Sequence, residues 1–177
     1  MHRSLRLAGA AVATAGLAFA SPLFAESDSK TVPVTATILP RLELTVTPET
    51  GDAIAFGAIT QPAPGDEDSR SVRVAVNVFS NLDRPYHVTQ MIRRPLVNVE
   101  GSAIPDPQLL VTAHDAVRGQ VGPVRPTAMI PGRATTLYTS DERGKSDAFK
   151  ADYTLTVTPE TPAGDFATEI VYTVTSL

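Results

Sequence analysis

The chain has 177 residues, with 15 Lys and Arg against 19 Asp and Glu and a formal net charge of -4; this length fits one domain, and the acidic balance argues against a nucleic-acid partner, which calls for a basic footprint. Cysteine and tryptophan are both absent. That excludes disulfides, thiolate metal sites and a lipid-attachment cysteine, and it leaves stability to packing alone.

In chain order, the N-terminus reads as an export signal. Arg3 and Arg6 supply positive charge, residues 7–20 form an apolar run, and small residues close it. The run is shorter than the ~20 residues of a membrane-spanning helix, so the pattern predicts a signal peptide over residues 1–25 that is removed. Cleavage after Ala25, a favourable distance beyond Pro22, is preferred; cleavage after Ala20, where Ala18 and Ala20 give a small-x-small pattern, also fits. Losing Arg3 and Arg6 takes the formal charge from -4 to -6. With no apolar anchor or sorting tail before Leu177, the mature product is expected without a transmembrane anchor, passing through the periplasm to the cell surface or the medium.

From Thr31 onward the dominant period is two, the mark of half-buried strands. Val32, Val34, Ala36 and Ile38 share one face, and Leu42, Leu44 and Val46 continue the rhythm beyond Pro40, which separates two strands or bends one. A short strand is expected at residues 53–56, followed by the exposed loop "TQPAPGDEDSR". Val72, Val74, Val76 and Val78 mark a strand at 71–80, where β-branching suits the pleat. Tyr86, Val88, Gln90 and Ile92 mark a second strand at 86–93, its natural hairpin partner. A strand at 109–113 is possible within a stretch from 97 to 132 that is otherwise expected to be irregular. Strands return at 134–139 and 149–158, the latter burying Phe149, Ala151, Tyr153, Leu155 and Val157. Across the turn "PETPAGD" a final strand at 166–176 aligns Phe166, Ile170, Tyr172 and Val174, and these last two runs are expected to form a terminal hairpin. Seven to nine strands in about 150 residues is the spacing of a two-sheet antiparallel sandwich, with a closed barrel as the second architecture.

Reactive chemistry is thinly supplied. If the signal peptide leaves, only His87 and His114 remain of the histidines. His114 and Asp115 are adjacent, so on a strand they would point to opposite faces, and no Gly-x-Ser-x-Gly nucleophile turn occurs. Asp66, Glu67 and Asp68 crowd one loop but lack the ligand spacing and turn glycine of a calcium loop. Arg70, Arg73, Arg93 and Arg94 would cluster if the first hairpin forms, and such arginines more often pair with carboxylates or guard an edge than bind an anion. The expectation is a non-enzyme with no catalytic, metal or cofactor residues.

An alternating strand near an exported N-terminus can also serve another molecule, because backbone hydrogen bonds supply affinity while alternate side chains enter pockets. The stretch "VTATILPRLEL", the strands "SVRVAVNVFSN" and "YHVTQMI", and the closing "PAGDFATEIVYTVTSL" together resemble exported pilin-type β-sandwich domains, in layout those of the colonisation-factor class of chaperone-usher fimbrial subunits. Spore-coat-protein-U-like and WxL-like domains share the terminal "PAG…YTVT" pattern more distantly. The resemblance implies an all-β, immunoglobulin-like antiparallel β-sandwich that is incomplete by itself. It divides the chain into a signal peptide, a donor-strand extension at 26–40 and a sandwich domain at 41–177. It further implies a donor face of Val32, Val34, Ala36 and Ile38, an acceptor groove including Ile170, Tyr172 and Val174, and strand exchange with copies of itself or related subunits, with help from a periplasmic chaperone and an outer-membrane usher. Pro33 would remove one ladder donor from the extension. The function expected is a structural subunit of a bacterial surface fibre or coat serving adhesion; the other reading is a monomeric secreted or periplasmic binding module gripping a ligand with its loops at 61–70 and 114–133.

Overall fold

The computed structural model describes residues 30–177, so the expected signal peptide lies outside the described residues. One compact unit spans Ile38–Leu177. It contains nine strands: β1 Leu42–Pro48, β2 Asp68–Ser80, β3 Tyr86–Ile92, β4 Leu109–His114, β5 Gln120–Val121, β6 Thr127–Ala128, β7 Thr135–Thr139, β8 Asp147–Val157 and β9 Ile170–Ser176. A single 3-10 turn, Asp106–Gln108, precedes β4.

The strands form two antiparallel sheets, one in the order β1-β2-β8-β4-β6 and the other β5-β7-β3-β9. The fold is therefore an all-β sandwich. An immunoglobulin constant-type domain places its strands as A-B-E-D and C-F-G; here β1-β2-β8-β4 follows the first order and β3-β9 the C-F pair. Among the described residues, nothing stands where G would pair with β9.

Period-two burial builds the core. Val72, Val74, Val76 and Val78 of β2 and Phe149, Ala151, Tyr153, Leu155 and Val157 of β8 are all buried, facing Tyr86, Val88 and Ile92 of β3 and Leu137 of β7. Each fully buried Val, Leu, Ile or Phe side chain here contributes roughly 1.5–3 kcal/mol over its exposed form. Tyr138 stacks on Phe149, with ring centroids 5.1 Å apart and planes 5° from parallel.

The strand partners differ from expectation in two places. β3 does not form a hairpin with β2: β2 is flanked on its two edges by β1 and β8, while β3 pairs with β7 and β9 in the opposite sheet. The connection through 81–85, with Asp83 at φ 53°, carries the chain across the sandwich. Likewise β8 and β9 lie in different sheets, so the terminal hairpin does not form, and β9 starts at Ile170 rather than Phe166. A strand has two ladder edges, and both edges of β8 are taken by β2 and β4.

Residues 53–56 are not a strand. Ile54, Phe56 and Ile59 pack half-buried against the core from a loop that contributes no ladder. The irregular stretch holds the expected strand as β4 and two two-residue strands, β5 and β6, within "RGQVGPVRPTAMIPGR".

Candidate functional site

The candidate site is the flank where the two sheets are left unpaired. β1 is bonded to β2 alone and β9 to β3 alone, so each presents an open edge of backbone N–H and C=O groups. Such edges are templates for strand addition unless covered.

A cavity of about 910 Å³ opens beside them. Its walls are Val46 and Pro48 from β1, Leu155 and Val157 from β8, and Ile170 and Tyr172 from β9, with Ile54, Phe56 and Ile59 along the loop side. Leu42 faces Ser80 and Pro48 faces Val74, whereas Ile170 lies opposite Ile92 and Ser176 opposite Tyr86. The cavity thus occupies the Pro48 and Ile170 end of the sandwich, and the chain enters β1 at the other end, beside Ser176. Gln61 fastens the loop, its Nε2 donating to the carbonyl of Pro159.

The floor carries a buried polar chain. The Tyr153 hydroxyl donates to Gln90 Oε1 and lies 2.6 Å from the Tyr172 hydroxyl. Because Oε1 can only accept, the proton order runs from Tyr172 to Tyr153 to Gln90. Among the described residues, Gln90 Nε2 is buried without a hydrogen-bond partner. Burial raises the Tyr172 pKa to about 12, against a smaller lowering by the Tyr153 hydrogen bond. Tyr153 is pushed well above its ordinary value by burial first and by Tyr172 second.

Of the three expected groove residues, Ile170 and Tyr172 line the cavity, while Val174 packs against the core outside its walls. The expected donor face is in no strand: Val32 is 69% exposed, Val34 94% and Ile38 85%, and Ala36 is exposed too.

The remaining candidates fall elsewhere. Arg73 binds Asp152 through two hydrogen bonds of 2.8 and 3.2 Å, Arg70 lies 3.4 Å from Asp68 and Arg93 3.9 Å from Glu169. The four-arginine cluster does not assemble, because β2 and β3 lie in different sheets. His114 and Asp115 do meet, contrary to the alternation argument: Asp115 follows the end of β4 at φ 62°, which swings its carboxylate to 3.2 Å from His114 Nδ1. The other ring nitrogen lies 3.0 Å from Asp152, and Lys150 lies 2.9 Å from Asp115. The result is a solvent-side charge network on the five-stranded sheet, with no hydroxyl nucleophile bonded to it among the described residues. No group of three or more His, Cys, Asp or Glu able to hold a metal ion occurs among the described residues, so the acidic loop is not such a cluster.

Asp147 was not signalled by the sequence. Its carboxylate accepts hydrogen bonds from the Tyr138 hydroxyl at 2.7 Å and from the N–H groups of Arg118 at 2.8 Å and Gly119 at 3.1 Å. Burial would raise its pKa, but these bonds together with that from Ala148 outweigh burial and hold it below the usual carboxylate value. Gly119 is required there, since a Cβ would run into the Thr139 carbonyl and the Tyr138 ring. No protein-family model matches the chain, and no curated protein matches it either.

Proposed function

We propose that the protein is a non-catalytic structural subunit of a bacterial surface fibre or coat, assembled by β-strand exchange and serving adhesion. The observation that carries this reading is the pairing of two features in one chain: an open apolar cavity beside the unpartnered edge of β9, and an alternating apolar segment, Val32, Val34, Ala36 and Ile38, that is exposed and in no strand. A strand from a second copy would supply the missing ladder to β9 and place alternate side chains against Ile170 and Tyr172. The nearest Cα atoms of β1 and β9 lie within 8 Å, so β1, held by one ladder, would swing outward as the strand seats. Export, a periplasmic chaperone and an outer-membrane usher belong to the same reading and rest on the N-terminal pattern and the resemblance.

The test compares the mature chain starting after Ala25 with a form starting at Leu42. Strand exchange predicts heat-resistant oligomers of the first on size-exclusion chromatography. The second should be monomeric, with its thermal midpoint raised by a peptide of residues 30–41. A mature chain that is a stable monomer, with residues 32–38 protected from hydrogen exchange as part of its own sheet, would overturn the reading in favour of a monomeric binding module.

A further inference from the structure

Asn81, immediately after β2, brackets Pro40 with three hydrogen bonds. Its N–H donates to the Arg41 carbonyl at 3.2 Å, its Oδ1 accepts from the Arg41 N–H at 2.5 Å, and its Nδ2 donates to the Leu39 carbonyl at 3.0 Å. The regular ladder between β1 and β2 starts one residue later, at Leu42 opposite Ser80. The side-chain bonds are therefore additional to the sheet, and they fix the backbone on both sides of a proline that has no N–H of its own.

Strand exchange has a competitor in every subunit, its own extension. Residues 31–38 would span roughly 26 Å when extended, close to the ~23 Å of the seven-residue β1. A tethered segment is present at an effective concentration of millimolar order, so in the absence of an obstacle it would occupy its own groove ahead of any neighbour. The reversal needed is a tight turn with Pro40 at its second position, in which the Leu39 carbonyl accepts from the Leu42 N–H. In the structure that carbonyl is held by Asn81 instead. The turns that proline favours also splay hairpin strands rather than match their twist.

We propose that Asn81 is a positioning residue that bars residues 31–38 from folding back into their own groove and so reserves them for a neighbouring copy. The inference rests on the strand-exchange reading. It makes self-insertion, rather than poor affinity, the failure that this part of the fold is built to prevent.

The test uses the absence of cysteine. Thr35→Cys and Thr173→Cys introduce two exposed thiols into the mature chain, one on the extension and one on β9, which a short bismaleimide then joins. With Asn81 present, the expected product is a ladder of linked chains. With Asn81→Ala the ratio of internally linked monomer to ladder should rise about tenfold or more, the scale set by losing two hydrogen bonds of ordinary strength. Asn81→Asp, which keeps the acceptor for Arg41 and loses the donor to Leu39, should shift it in the same direction and decides the matter if the alanine variant does not fold. An unchanged ladder in folded Asn81 variants overturns the role of Asn81 while leaving strand exchange standing. Absence of any ladder with Asn81 present overturns strand exchange itself.

Discussion

At the scale of single residues, Asp147 shows how a half-buried carboxylate can organise a loop. Its acceptor oxygens gather the backbone of residues 117–119 and the Tyr138 hydroxyl into one knot. Replacing it by alanine leaves those donors without partners, at a cost of about 2 kcal/mol, which should lower the thermal midpoint by roughly 4–8 °C for a chain of this size. The same knot sets a pH dependence. The folded pKa of Asp147 lies below the unfolded value of about 3.9, so its contribution is present above that value and is lost as pH falls through the depressed folded value. Acid unfolding monitored by circular dichroism should therefore begin at higher pH in Asp147→Ala than in the unaltered chain. None of this was legible in the sequence, because the donors come from a loop whose path is fixed by tertiary contact.

At the scale of elements, the faces of the strands were legible and their partners were not. Val72 to Val78 and Phe149 to Val157 are buried in strict alternation, as their pattern requires. Period two states which side of a strand is apolar, but it carries no information about which edge a strand will find, and so the hairpin partners it suggests for β3 and β9 lie in the other sheet. The loop containing Ile54 and Phe56 fails for a related reason: alternation records which side chains are half-buried, and here they are buried from a loop that joins no ladder. The extension beginning at Thr31 is the informative case, an element with strand chemistry and no strand. Val34→Asp should leave the thermal stability of the monomeric sandwich within about 0.5 kcal/mol, as expected for a residue that is 94% exposed. The same substitution should abolish heat-resistant oligomers on chromatography, because in a neighbour's groove the carboxylate would be buried without a partner. Equal loss of monomer stability would count against an exchanged strand.

At the scale of the whole molecule, the tyrosines report on the sandwich as a unit. The chain has four, and the pKa of each is raised: by burial chiefly for Tyr86, Tyr138 and Tyr153, and by burial to about 12 for Tyr172. A raised folded value means stability that is fully present below the unfolded value of about 10 and is lost as pH rises through the folded values. Phenolate absorbance should accordingly stay low at pH 11 while the fold persists and appear together with the loss of β-sheet signal. Gradual ionisation of one or more tyrosines near pH 10 in folded protein would show that the core is looser than its packing implies.

The position of the cavity has a geometric consequence. It lies at the Pro48 and Ile170 end of the sandwich, whereas residue 41 enters β1 at the opposite end. If one copy's extension fills the next copy's cavity without the exchange being returned, the giving and receiving surfaces differ and the contact is head-to-tail rather than the reciprocal swap that closes a twofold pair. Repetition then yields an open polymer with direction, whose two tips are chemically unlike: one displays an unfilled cleft and the other an unused ribbon.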